Sequence, residues 1–178
     1  MRSVPVQDDT PTRQLDPDRL GDHVDRLFRA AWAMTGRRED AEDLVQETYA
    51  RVLAKPRFVR RQDDLAYLLR VLRNTHVSRL RSRSRRPAEV TMDDHLEPAD
   101  QSGHFRPEAF LDATSLFAAI GRLPDPFREA IVAVDVVGLT YREAGDTFGV
   151  PEATITSRLH RARLRVAREL SAEGDGRR

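Results

Sequence analysis

Apolar residues recur along most of the chain at helical intervals. Leu20, Val24, Leu27, Ala31 and Met34 step by four, three, four and three residues, and Phe28 and Trp32 widen the stripe. That spacing predicts an amphipathic helix, which Gly36 ends. A second helix is predicted from about Glu39 to Leu53, with Ala41, Leu44, Val45, Thr48, Val52 and Leu53 facing inward. Its acids crowd the first turns, where the helix dipole favours them, and Pro56 closes it. A third helix runs from about Asp64 to Arg83, turning Leu65, Leu68, Leu69, Leu72 and Leu80 inward. Helical spacing resumes at Leu111 and continues through Leu116, Ala119, Ile120 and Leu123. Pro124 stops that helix, and Pro126 suits the first turn of the next. The inner face of that next helix is Phe127, Ala130, Ile131 and Val134, and Gly138 marks its end. A short helix over Thr140–Phe148, a break at Gly149-Val150-Pro151 and a final helix to about Ala172 complete the pattern. No segment alternates with period two, so no strand is expected.

The pattern predicts an all-α protein made of two small helical domains joined by a flexible acidic linker. Residues 1–17 read as a disordered tail, 18–86 as the first domain and 87–110 as the linker. Residues 111–172 read as the second domain and 173–178 as a second tail. Pro87, Pro98, Gly103 and Pro107, many acids and few large apolar residues mark the linker.

Composition narrows the chemistry. The 178 residues include no cysteine, which excludes disulfides, cysteine zinc sites, iron–sulfur clusters and a thiol nucleophile. The longest apolar runs, Ala130 to Val134 among them, are five residues, far short of the ~20 residues of a membrane span. The first residues lack the apolar stretch of a secretory signal, so the cytoplasm is the expected compartment. His95 and His104 lack metal-ligand spacing, no metal is assigned, and no cofactor is implied. His76 falls on an apolar face beside Leu72 and Leu80 and is read as a partly buried histidine.

The net charge of +1 conceals a sorted distribution. Residues 39–50 hold five acids and no base, whereas residues 70–86 hold seven arginines and no acid. Residues 87–112 hold seven acids against Arg106 alone, and residues 153–168 hold five unopposed arginines. Lys55 is the only lysine. Two cationic blocks flanking an anionic one suggest two contacts on a single polyanion. Arginine suits that task because its fork binds phosphate and guanine in a bidentate manner.

Residues 139–166 carry the features of a helix-turn-helix. Thr140 can cap the first helix, with Glu143 completing a capping box, and Gly149 supplies the turn. In the second helix Ile155, Leu159, Ala162 and Val166 share an inward face. Thr156, Ser157, His160, Arg161 and Arg163 fall elsewhere and can meet a DNA groove. Gly145 interrupts the first helix at a cost of ~1 kcal/mol relative to alanine, and Ala144 and Thr147 bury little apolar surface, which predicts a module loosely held without its partner.

The segment RLPDPFREAIVAVDVVGLTYREAGDTFGVPEATITSRLHRARLRV resembles region four of a bacterial RNA polymerase sigma factor of the extracytoplasmic-function (ECF) group. DAEDLVQETYARVL (residues 40–53) resembles the helix of region two that docks on the polymerase clamp. YLLRVLRNTHVSRLRSRSRR (67–86) resembles the promoter-reading helix that follows it. The resemblance covers about two thirds of the chain in the family's order. It implies an alternative sigma factor that binds core RNA polymerase, through the β′ clamp helices and the β subunit, and directs initiation at promoter DNA. It also implies control by an anti-sigma factor. By matching positions, Asp43, Leu44, Gln46 and Glu47 would bind the core enzyme, with Val45 as apolar support. Arg70, Arg73, Asn74, Arg79 and Arg81 would contact minus-ten DNA, and Arg83 is a further phosphate candidate. Thr156, Ser157, His160 and Arg161 would read the minus-thirty-five element, and Arg158 and Arg163 would hold its phosphates. The loop from Lys55 to Asp64 matches the family segment that can hold a flipped base. Tyr67 stands where the family commonly has tryptophan, and Ser78 where it often has aspartate. The acidic linker would thread toward the RNA-exit path, or shield the two arginine blocks within the chain.

A stand-alone helix-turn-helix regulator is the alternative, and it leaves the acidic helix without a role. No glycine-rich phosphate loop, metal-ligand set or nucleophile elbow supports an enzyme or a small-molecule substrate.

Overall fold

The computed structural model describes residues 12–15, 17–54, 58–60, 64–85 and 107–175. Seven α-helices form among them: α1 (Val24–Thr35), α2 (Arg38–Leu53), α3 (Asp64–Arg85), α4 (Pro107–Gly121), α5 (Asp125–Ile131), α6 (Tyr141–Phe148) and α7 (Glu152–Asp175). Each coincides with a helix expected from apolar spacing. The greater part of the expected linker lies outside the described residues, and α4 begins within its final residues.

The first module packs α1 against α2 and α3. Leu27, Leu44, Leu68, Leu69 and Leu72 are fully buried there, each worth roughly 1.5–3 kcal/mol against exposure. Two buried hydroxyls join this core because each has a partner one turn back. Thr48 Oγ1 donates to the Leu44 carbonyl at 2.7 Å, and Thr75 Oγ1 to that of Val71 at 2.9 Å. Gly36, at φ 74°, ends α1 in the left-handed conformation while its N–H donates to Trp32 O.

Three expectations fail at helix ends. Leu53 and Leu80, expected inward, are 55% and 41% exposed, and Val24 is also exposed. Leu53 and Leu80 lie toward the C-terminal ends of α2 and α3. Val24 begins α1 beside a 3-10 turn, Pro17–His23, which changes the angle of the stripe.

The expected absence of strands is also corrected. Thr12–Gln14 (β1) pairs antiparallel with Phe58–Arg60 (β2). Three residues per strand are too few to show alternation. Residues 12–15 therefore belong to the fold rather than to a tail, and Leu15 is buried. Tyr49 donates to the Leu20 carbonyl at 3.0 Å and holds the entering chain on α2.

In the second module α7 runs against α4, α5 and α6. After α5 the chain makes a wide π-helical turn over Val132–Val136, in which the Val137 N–H reaches Val132 O five residues back. Gly138, at φ 86°, then reverses the direction. The Thr140–Glu143 capping box is present in both directions, and it holds the Glu143 carboxyl below its ordinary range, chiefly through the Thr140 N–H.

Gly145 is not a weak point. A Cβ there would lie 2.7 Å from the Val150 carbonyl oxygen, because the turn folds back across the helix at this residue. Glycine permits that approach, and both Gly149 and Val150 donate to Gly145 O.

The two modules pack directly on each other. Helix α1 lies between α2 and α4, with the Trp32 and Phe117 rings 4.9 Å apart and tilted by 60°. The ends of α1 and α4 meet so closely that a Cβ on Gly121 would lie 2.8 Å from the Gly36 Cα.

Candidate nucleic-acid and polymerase interfaces

The acidic face of α2 presents Asp43 and Gln46 to solvent. Leu44 is fully buried, so its side chain sets the helix on the core and does not face solvent beside Asp43 and Gln46. Glu47 is half-buried between two arginines, Arg51 at 2.5 Å and Arg79 at 2.6 Å. Burial raises its pKa, but the hydrogen bonds and charges of Arg79 and Arg51 outweigh that, and the carboxyl lies below its ordinary range.

Arg79 also donates to the Asp43 carbonyl at 2.9 Å, and Arg83 reaches Asp40 at 3.3 Å. The arginines in the C-terminal half of α3 thus brace α2. Two sets of candidates that the sequence assigned to different partners are joined into one network.

The N-terminal half of α3 turns toward the second module. Arg70 donates to the carbonyls of Thr147 and Asp146 at the C-terminus of α6, each at 3.1 Å. Those carbonyls carry the negative end of the helix dipole. Arg73 pairs with the buried Glu129 of α5 at 2.5 Å, and its guanidinium lies 5.8 Å from the centre of the Phe148 ring. Asn74 and Arg81 are exposed. Tyr67 is half-buried against the core, and Ser78 is exposed. Residues 55–57 and 61–63 of the loop matched to a flipped-base pocket lie outside the described residues. His76 is buried as expected. Its Nε2 has no hydrogen-bond partner, and burial, then the Arg128 charge, push its pKa below the usual histidine value.

Helix α7 is positioned differently. Ile155, Leu159, Ala162 and Val166 are buried, so α7 is fixed to the module by its apolar face. Ala153, Thr156, Ser157, His160, Arg161 and Leu164 line a shallow groove on the opposite side. The four base-reading candidates are therefore neighbours on one exposed surface. Arg163 leaves this group: it donates to both Asp135 oxygens, at 2.9 and 2.7 Å, and that pairing raises its pKa. The π-helical turn presents Asp135 to α7. Sequence reasoning did not single out Asp135 or Glu129 as partners. The signals were an acid ending the apolar run 130–134 and an acid beside the inward residues of α5.

A capped helix-turn-helix whose second helix exposes arginine, histidine and hydroxyl groups defines a DNA-binding protein of the two-module helical class. Two family models match the same modules: Sigma-70 region 2 over residues 20–86 and Sigma-70 region 4 over residues 114–166. The chain is 36% identical to the ECF RNA polymerase sigma factor SigE of Mycolicibacterium smegmatis, over 81% of this chain and 57% of that one. It is 32% identical to EcfG of Rhodopseudomonas palustris, over 85% and 82% respectively. Among solved structures, the sigma factor RpoE of Bartonella quintana, in complex with the anti-sigma factor NepR, superposes with a TM-score of 0.68 at 30% identity. That match covers 86% of this chain and 95% of RpoE. CnrH, solved with the cytosolic domain of CnrY, shares the fold at a TM-score of 0.62. The chain belongs to the ECF group of the sigma-70 family.

Proposed function

We propose that this protein is an alternative sigma factor that binds core RNA polymerase and gives it promoter specificity. The first module serves the minus-ten element and the second the minus-thirty-five element. The observation that carries this reading is the pairing of an acidic helix, α2, with two arginine-bearing helices in the order of regions two and four. Asp43 and Gln46 on α2 offer a carboxylate and an amide to the arginine-rich clamp helices of the β′ subunit, and the β subunit receives the second module. Arg70, Arg73, Asn74 and Arg81 serve minus-ten DNA, while Thr156, Ser157, His160 and Arg161 read base edges of the minus-thirty-five element. Arg158 adds a phosphate contact.

The protein acts as a binding subunit with no catalysis of its own, and its place of action is the cytoplasm. Among the described residues no helix is long and apolar enough to cross a membrane. RpoE of Bartonella quintana is held by an anti-sigma factor, and the same kind of partner is proposed here. A stand-alone regulator would give the acidic face of α2 no partner.

The test is co-elution with purified core enzyme, followed by transcription from a pool of linear promoter fragments. Co-elution with selective initiation is expected. Sequence-specific DNA binding without core association, and with no stimulation of initiation, would overturn the reading.

A further inference from the structure

We propose that α7 recognises thymine by its C5 methyl group, with Thr156 and Ala153 as the residues that select it, and that hydrogen-bonded base reading is left to His160 and Arg161. The proposal deepens the reading of α7 as the helix that enters the major groove, and rests on it.

The first observation is where the hydroxyl protons go. Thr156 Oγ1 donates to the Glu152 carbonyl at 3.1 Å, and Ser157 Oγ donates to the Thr154 carbonyl at 3.0 Å. A hydroxyl has one proton, so neither side chain has a donor left for a purine N7 or a thymine O4. Threonine is stiff about χ1, and its favoured helical rotamers return the hydroxyl to a carbonyl of the preceding turn. With Oγ1 turned back along the helix, the Cγ2 methyl diverges from it on Cβ and is what Thr156 adds to the groove.

The second observation is placement. Helix α7 begins at Glu152, so Ala153 and Thr156 stand in its first turns, the part of a recognition helix that meets base edges. Ala153 carries a methyl group and nothing else. Residues three apart on a helix hold their Cβ atoms about 5–6 Å apart, between one and two base-pair steps of ~3.4 Å. The two methyls therefore fit thymines on adjacent or next-but-one base pairs.

The third is the character of the groove. Both of its ends are apolar, with Ala153 at the start and Leu164, 47% exposed, about three turns on. In the major groove of B-DNA the thymine methyl is the apolar feature among donors and acceptors. Carbon placed against any other base edge strips water from a polar atom and returns no hydrogen bond. His160 and Arg161, about one turn beyond Thr156, are the groove-lining side chains with an N–H to offer, and the Arg161 fork suits guanine. Helix α7 thus reads thymine under its first turns and guanine under the next.

Deoxyuridine, which lacks only the C5 methyl, tests this directly. Sites are selected from a random duplex pool with holoenzyme reconstituted from the full chain, and each thymine of the minus-thirty-five element, on either strand, is replaced in turn. Wild type should lose about fourfold in affinity at each of two positions no more than two base pairs apart, the value of one buried methyl. Thr156→Ser keeps the hydroxyl and deletes the methyl, and should abolish the loss at one of them. Thr156→Val deletes the hydroxyl and keeps the methyl, and should retain the full thymine-to-deoxyuridine ratio there. Ala153→Gly should abolish the loss at the other position. Equal affinity for thymine and deoxyuridine throughout would overturn the proposal, and so would undiminished discrimination by Thr156→Ser. Lost discrimination in Thr156→Val would assign the contact to the hydroxyl and overturn the methyl reading. Loss at a single position would overturn the part given to Ala153. If the chain selects a site without core enzyme, the same replacements are made in that site. Core independence would then count against the proposed function, while the methyl reading stands or falls on deoxyuridine. A chain that selects no site in either form would overturn both.

Discussion

Helices α3 and α7 carry comparable runs of arginine, yet the structure uses them in opposite ways. On α3, Arg70, Arg73, Arg79 and Arg83 all have protein partners, two toward the second module and two toward α2. On α7, the groove-lining groups lie open, and Asp135 restrains Arg163. Sequence charge alone does not tell a braced arginine from a free one. The difference lies in what each helix packs against. Helix α3 lies at the centre of the molecule, between α2 and the second module, whereas α7 has one apolar side and one exposed side.

The largest expected effect separates the modules. Gly145→Val forces a side chain into the Val150 carbonyl, and overpacking of this kind costs about 3 kcal/mol. Chemical denaturation should show the second module unfolding first, with the first module's transition retained. A single unshifted transition would mean that the turn can move aside. Next, Arg161→Ala should weaken specific promoter binding by the holoenzyme by ~1–3 kcal/mol and relax one position of the minus-thirty-five element. Equal loss on all sequences would reassign Arg161 to a phosphate.

His76 tests the junction between the two halves. Burial and the Arg128, Arg79 and Arg83 charges depress its pKa, and only Asp125 opposes them. A depressed folded-state pKa means that the unfolded chain binds the proton more readily. Stability from neutral His76 is therefore complete above the unfolded histidine value, near 6.5, and is lost as pH falls through the folded one. One proton gives a slope of up to about 1.4 kcal/mol per pH unit in that window. In His76→Gln the slope of unfolding free energy against pH should flatten between pH 6.5 and the acid limb. An unchanged slope would place the titration elsewhere.

How far the sequence disclosed all this depends on the kind of signal. Helices were legible because burial of one face imposes a 3.6-residue period, and the helix-turn-helix was legible because capping and turn chemistry are local. The β1–β2 pairing was not, since three-residue strands 46 positions apart leave no periodic trace. Gly145 read as a defect because its purpose, close approach by Val150 O, is a tertiary fact. Of the candidate site, the α7 residues were placed together as the helical spacing implied. Leu44 lies in the core beneath the acidic face of α2, and the partners Glu129 and Asp135 were missed, because ion pairs between distant elements depend on packing that no local pattern encodes.

Arg79 offers a smaller effect on the α3 side. It is partly exposed and tied to Glu47 and the Asp43 carbonyl, so Arg79→Ala should cost the fold about 1 kcal/mol. It should leave the salt dependence of DNA binding by the holoenzyme unchanged. A flatter salt slope in the variant would show that this arginine does reach DNA in the complex.

The smallest effect is the most discriminating for α7. Asp135 holds Arg163 with two hydrogen bonds, and at this exposed site the pair contributes at most a few tenths of a kcal/mol to stability. The denaturation midpoint of Asp135→Asn should therefore scarcely move. Its DNA binding should change in a specific manner: a freed guanidinium adds one phosphate contact, which steepens the slope of log affinity against log salt by about 0.9. Arg163→Ala in the wild-type background should leave that slope alone, because the side chain is already committed to Asp135. If Arg163→Ala flattens the slope instead, the pairing breaks on DNA. Arg163 would then join Arg158 as a phosphate contact, and α7 would use a braced arginine in the same way that α3 is proposed to use Arg70 and Arg73.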